Sequence, residues 1–422
     1  MNETKSSLLE RIKKFIISIG PAFFVVGYTI GTGSIVTMAS AGSRYGMSML
    51  WALTLACIFS FVLLEAYGRY TIVTGEGALY GIKKHIKGGK YISLSLLIGL
   101  IFVEVLALMG IMGIVTDLIH DWTGLLFGDD GWNPVAVAVT ISIIIYGLLL
   151  IGKYSLFEKV LIIFVGIMGV SFLMTLFITP FNITEFAKGL IPSIPEGANT
   201  AILIAAIVGT TFTAPTFVVR GILMKEKKWE LTELKHAKKD ALQGALMMFI
   251  ISVSVMIVAA NTLHLMGRPV DKVVVMVELL RPLLGSFAIS IFVMGILGAA
   301  LSSMIPILML ATLLLSDYNN KPVEYKGATF RTISAVVLLL GLIVPLFGFR
   351  PVFAMIISQA FQVFILPVVV LAMLYLINRK DLMKERSADK LLNISFLFMI
   401  VFTIIITYQA AIGLLESFKT MF

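Results

Sequence analysis

Residues 27–42 read GYTIGTGSIVTMASAG, and at their centre Gly31, Thr32, Gly33 and Ser34 set two glycines and two hydroxyls side by side inside an apolar run. A second such point lies at 209–216, GTTFTAPT, where Thr210, Thr211, Thr213 and Thr216 crowd around Ala214 and Pro215. Glycine, serine and threonine are weak helix formers with short side chains, and proline removes a backbone donor and bends a helix. In hydrocarbon every backbone amide and carbonyl needs a partner, so such stretches persist only where they face protein or a water-filled cavity. The chemistry on offer is coordination: opened helix ends present amides, carbonyls and hydroxyls that hold a solute without a dedicated charge. Close packing between continuous helices uses the same small residues and is the competing reading. Ile30-Gly31-Thr32-Gly33 recurs weakly as Val208-Gly209-Thr210-Thr211. That recurrence favours two discontinuous helices at matching places in two inverted repeats.

The elements that would carry these points are membrane spans. The 422-residue chain is 59% hydrophobic and 14% charged, whereas soluble domains run at about half and about a quarter. Eleven apolar stretches approach the roughly 20 residues needed to cross a bilayer: 15–42, 48–67, 92–115, 135–151, 160–178, 201–224, 242–260, 287–315, 332–346, 353–377 and 394–415. The expected class is an all-α integral membrane protein of one domain, 1–422, with repeats at about 15–180 and 200–377 and an extra helix at 394–415. Run length and the lack of alternating polarity exclude a β-barrel. Most of the 33 Lys and Arg residues fall in alternate loops, as in Lys83–Lys90, Lys225–Lys239 and Arg379–Lys390. This asymmetry predicts a cytoplasmic N-terminus, an uncleaved first span and an external C-terminus. The net charge of +9 is then topological, and a nucleic-acid partner is not expected; the lipid bilayer is. The lone Cys57 permits no intrachain disulfide. The four histidines, His85, His120, His236 and His264, sit at span ends without metal-ligand spacing, and no enzyme constellation or cofactor site is read.

Several segments together resemble the Nramp family of divalent metal-ion transporters, which share the leucine-transporter-like fold. GPAFFVVGYTIGTGSIVTMASAGSRYG is similar to the family's first span and RYTIVTGE to the end of its second. LFEKVLIIFVGIMG resembles its fifth, GLIPSIP followed by IVGTT the entry to its sixth, and ALSSM its eighth. ISQAFQVFILPVVVLAMLYLINRKDLM resembles its tenth. The resemblance implies helices 1 and 6 broken at the membrane centre, alternating access, proton coupling and the plasma membrane of a bacterium. The departures lie at the site. The family's Asp-Pro-Gly-Asn is replaced by Gly31, Thr32, Gly33 and Ser34. Its Ala-x-x-Met-Pro-His is replaced around Thr210, Phe212, Thr213, Ala214 and Pro215, with the proline one place late. Gln359 matches a glutamine that helps line the family's site, and Glu104 an acidic residue of its third span.

Three functions compete. A proton-coupled divalent cation transporter would hold its substrate on helix-end carbonyls, Ser34, Thr213 and Gln359. Glu104, about 21 Å in from Lys90 along a helix, would carry the proton or pair with Arg220. A sparse, uncharged shell suits a partly hydrated ion such as magnesium better than manganese. A transporter of a small organic or anionic solute would use the same opened helices, with sodium on Ser302 and Ser303; TIGTGS also looks like the glycine-rich break of amino-acid permeases. A receptor that has lost transport is the third reading, with no appended soluble domain to support it.

Overall fold

The computed structural model describes residues 31–128, 130–151, 170, 173–174, 176–177, 182–197, 199–279, 288–324 and 327–421, and every regular element among them is helical. The long ones are α1 (Thr32–Tyr45), α2 (Leu50–Thr74), α3 (Ala78–His85), α4 (Gly89–Phe127), α5 (Pro134–Leu150), α6 (Thr200–Thr211), α7 (Ala214–Glu226), α8 (Leu234–Ala259), α9 (Ala288–Tyr318), α10 (Ala328–Gly341), α11 (Pro351–Phe361), α12 (Leu366–Asn378) and α13 (Lys390–Met421). They account for ten of the eleven expected spans. Residues 15–30 of the first span and most of the fifth lie outside the described residues. Hydropathy marks hydrocarbon rather than helix length. α4 has 39 residues, about 58 Å at 1.5 Å per residue, and continues well past the end expected at Val115.

Burial sorts these helices into centre and rim. The apolar window of α6 and α7 is 100% buried, whereas that of α13 is only 28% buried. Rim helices turn Ile98, Phe102, Ile143, Leu397, Phe398 and Ile405 outward, the inverse of a soluble surface and the arrangement a lipid solvent requires. α1 packs on α8, α6 on α11, α7 on α2, and α4 on α9 and α11, so one core runs through both halves.

Two prolines interrupt helices at the centre, and each interruption is repaired the same way. Pro215 lacks the amide that would bond the carbonyl of Thr211, and α6 ends there. Phe212 (φ −100°, ψ 60°) and Thr213 (φ −89°, ψ 122°) leave the helical region before α7 restarts. Pro215 itself occupies the first turn of α7, where its missing N–H would have had no partner in any case. The Thr211 carbonyl accepts instead from Ser60 Oγ of α2 at 2.9 Å. Pro367 likewise cannot bond Val363. The expected tenth span, read as continuous over 353–377, is divided by a 3-10 turn at Gln362–Phe364, and the Val363 carbonyl accepts from Thr407 Oγ1 of α13 at 3.0 Å.

One buried ion pair ties the restarted half-helix to its neighbour. Arg220 of α7 and Asp240 of α8 are each 1% exposed and 2.7 Å apart, and Arg220 Nη2 also donates to the Ala237 carbonyl at 2.8 Å. The Glu104–Arg220 pairing that the sequence left open is therefore corrected. The carboxylates acting on Arg220 are Asp240 and Glu65, and Glu65 in turn forms the expected i,i+4 pair with Arg69.

Arg220→Met strands the Asp240 charge and is expected to lower stability by about 3–5 kcal/mol. Thr407→Val leaves one carbonyl unmet and is expected to cost about 1–3 kcal/mol. Thermal unfolding of the purified protein in detergent ranks them. An Arg220→Met melting temperature at or above that of Thr407→Val would show that the pair does not hold α7 against α8.

Candidate functional site

Five helices converge on a cavity of about 30 Å³ at the level of the interruptions. α1 contributes its first turn. Gly31 is extended (φ −97°, ψ −170°) and caps the helix without a side chain, and Gly33 and Ser34 follow into the lining. Ser34 Oγ lies 3.2 Å from Ser252 Oγ of α8. α6 and the break supply Thr210 and Thr213, α9 supplies Ser303 and Ile307, and α11 supplies Gln359. α4 adds Glu104, Ala107 and Ile111. Glu104 is 4% exposed and is the one ionisable side chain among the described lining residues.

A short polar chain fixes that carboxylate. Gln362 Nε2 donates to Glu104 Oε1 at 2.9 Å, and Thr213 Oγ1 donates to Gln362 Oε1 at 3.2 Å. The acid of α4 is thus connected through the turn after α11 to the break after α6. Gln362 was missed by the sequence reading. The signal was present in SQAFQ, since residues three apart in a helix share a face and Gln359 had already been assigned inward. The Ser303 hydroxyl is buried at the cavity wall without a protein hydrogen-bond partner, so it is available to a group that enters the cavity.

The other sequence candidates surround the cavity without lining it. Thr32 lies buried in the first turn of α1, its Oγ1 without a protein partner. Thr211 presents its carbonyl to Ser60. Ala214, Pro215 and Thr216 form the first turn of α7. Ser302 donates to Ala299 O at 2.8 Å, and Arg220 belongs to the pair with Asp240.

Close approach of backbones makes the site this small. A Cβ at Gly209 would stand 2.0 Å from the Gln359 carbonyl oxygen, and a Cβ at Gly33 would stand 2.8 Å from Gln359 Nε2. A side chain at Gly209 would force α6 away from the α11 backbone, and one at Gly33 would displace the Gln359 side chain. On one side of the cavity a vestibule of about 1290 Å³ opens among Arg44, Asp117, Asn199, Lys272 and Arg350. Gly110 and Ser358 in its wall are the immediate chain neighbours of Ile111 and Gln359 in the cavity wall. On the other side the ends of α7, α9, α3 and α12 are tied together. Lys225 donates to Asn320, Leu79 N to Asp317, and Arg379 to the His85 carbonyl.

The family pattern described as Natural resistance-associated macrophage protein-like matches residues 22–413. The chain belongs to the Nramp family. The divalent metal cation transporter MntH of Granulibacter bethesdensis is 24% identical over 388 residues, covering 88% of this chain and 82% of that protein. MntH of Bacillus subtilis is 25% identical over 358 residues, 81% and 79% of the two chains. The crystal structure of the Eremococcus coleocola manganese transporter superposes with a TM-score of 0.75 at 15% identity, covering 98% of this chain and 88% of that one. Mhp1, a nucleobase-cation-symport-1 family transporter in a closed conformation, superposes with a TM-score of 0.58 at 17% identity over 96% and 93%. These likenesses establish a leucine-transporter-like fold for this Nramp protein, with α6 and α7 as the broken sixth helix and α1 as the second half of the first.

Gly209→Ala is expected to overpack the α6–α11 contact, at a cost of about 1–3 kcal/mol, and to weaken ligand binding in the same variant. Unfolding and calorimetry together check this. Wild-type stability with wild-type binding would show that the cavity does not depend on this approach.

Proposed function

We propose that this Nramp protein carries a divalent metal cation across the membrane by alternating access around the cavity at Glu104, Ser34, Thr210, Thr213, Ser303 and Gln359. The size of the cavity is the observation that carries the reading. At about 30 Å³ it has room for about two waters, which suits an ion with little hydration better than an amino acid. Charge points the same way. The lining offers one carboxylate, hydroxyls and two side-chain amides, and with the carboxyl end of α6 set against the amino ends of α1 and α7, Glu104 is the full charge that decides the sign. An anion would meet Glu104, so the organic-acid reading loses its support.

The missing Asp and Asn of the family motif are offset in part by Glu104, which stands in the cavity wall rather than beside it. A proton carried by Glu104 would leave as the metal arrives, because one buried carboxylate cannot hold a proton and neutralise a cation together. The chain through Gln362 to Thr213 then gives metal binding a mechanical handle on the break between α6 and α7. The basic loops would lie on the cytoplasmic side, with the vestibule facing outward; the ties at Lys225, Asp317 and Arg379 would form the closed inner gate.

The test is uptake of manganese(II), iron(II) and magnesium into proteoliposomes under an imposed proton gradient. Metal uptake driven by an acidic exterior is expected, and Glu104→Gln should reduce it at least tenfold, about 1.4 kcal/mol, and remove its dependence on the gradient. Binding of an amino or organic acid with no response to any of the metals would overturn the reading. Retention of full proton dependence in Glu104→Gln would remove Glu104 as the carrier.

A further inference from the structure

We propose that the outward face of α8 at Lys235, Lys238 and Lys239 binds the phosphate headgroup of an anionic phospholipid, which anchors the helix that holds α7. The inference is independent of which solute the cavity carries.

α8 passes from water into hydrocarbon with one side uncovered. Leu242, Leu246 and Ile250 are 45, 50 and 44% exposed, and their four-residue spacing sets them on a single stripe that faces acyl chains. Continued toward the start of the helix at Leu234, the same stripe carries Lys239 and Lys238, three and four residues before Leu242, and Lys235, seven before it. All three lysines are exposed. None forms an ion pair among the described residues, although Glu230 and Glu233 lie just ahead of them. Four residues of helix span about 6 Å, and the headgroup layer outside the hydrocarbon is roughly 5–8 Å deep on each side. The lysines therefore stand at the depth of lipid phosphates, with their stems along the apolar stripe and their ammonium groups beyond it.

That placement selects a lipid over a soluble anion. A phosphate at Lys238 and Lys239 and an acyl chain along Leu242 and Leu246 belong to one molecule, and a soluble anion uses only the polar half. The charge of the whole segment agrees. Residues 225–239 carry six lysines against three glutamates, and each basic residue near an anionic leaflet adds to the attraction. The opposite face of the same two turns holds α7, because the Ala237 carbonyl accepts from Arg220 and Asp240 pairs with it. A lipid on the lysine side thus fixes α8 in the bilayer and, through that pair, steadies the second half of the broken sixth helix.

Native mass spectrometry of the purified full-length protein, offered phosphatidylglycerol and phosphatidylcholine in equal amounts, should show phosphatidylglycerol retained in preference. Each Lys→Gln change at the three positions should weaken that retention about fivefold at low salt. Thermal unfolding in neutral detergent should shift upward with phosphatidylglycerol but not with phosphatidylcholine, and the shift should shrink as sodium chloride is raised. The triple Lys235→Gln, Lys238→Gln, Lys239→Gln variant should keep its lipid-free melting temperature and lose the shift. Equal retention of the two lipids by the wild type, a comparison that needs no variant to fold, overturns the proposal, as does an undiminished preference in the triple variant. Glycerol 3-phosphate producing the same thermal shift as phosphatidylglycerol overturns the lipid as the occupant.

Discussion

Backbone carbonyls in hydrocarbon must find donors, and the architecture of this protein follows from how two of them do. Pro215 and Pro367 each deprive a carbonyl four residues earlier of its amide. At Thr211 the donor is Ser60 of α2; at Val363 it is Thr407 of α13. Each repair is a hydroxyl from a different span, so the interruptions are stable only when the spans are assembled. This is why broken helices can persist at the membrane centre. The polar ends they create then surround a cavity of only about 30 Å³.

The charges divide between structure and site. Arg220 and Asp240 neutralise one another away from the cavity and lock α7 to α8, a geometry that costs much to break and supplies nothing to a ligand. Glu104 is held by a neutral amide instead, which positions the carboxylate without cancelling its charge. Gln362 joins that carboxylate to Thr213 at the helix break.

How much of this was legible in the sequence varied with the physics behind each feature. The spans were legible because lipid demands about 20 apolar residues each, and all but the fifth are represented among the described helices. The break in the sixth span was legible because Pro215 and the threonines leave the backbone few alternatives. The break at Gln362–Phe364 was not. Pro367 in FILPVV sits in an otherwise ordinary apolar run, and many such prolines only kink a helix. The ends of α4 were also illegible, since helix continues into water on hydrogen bonds that hydropathy does not register.

The sequence by itself determined that the chain is a helical bundle in lipid, with polar weak points in its first and sixth spans and an intramembrane carboxylate in its third. These are properties of local composition against a fixed bilayer thickness. Which polar groups meet was decided only by the tertiary structure. Glu104 pairs with Gln362 across 258 positions and Arg220 of α7 with Asp240 of the next helix, α8, and no spacing rule connects the first pair. Thr211, Thr216 and Ser302 are of the same residue types as Thr210, Thr213 and Ser303 yet fall outside the cavity wall, because the rotation of each packed helix selects which of its hydroxyls face inward.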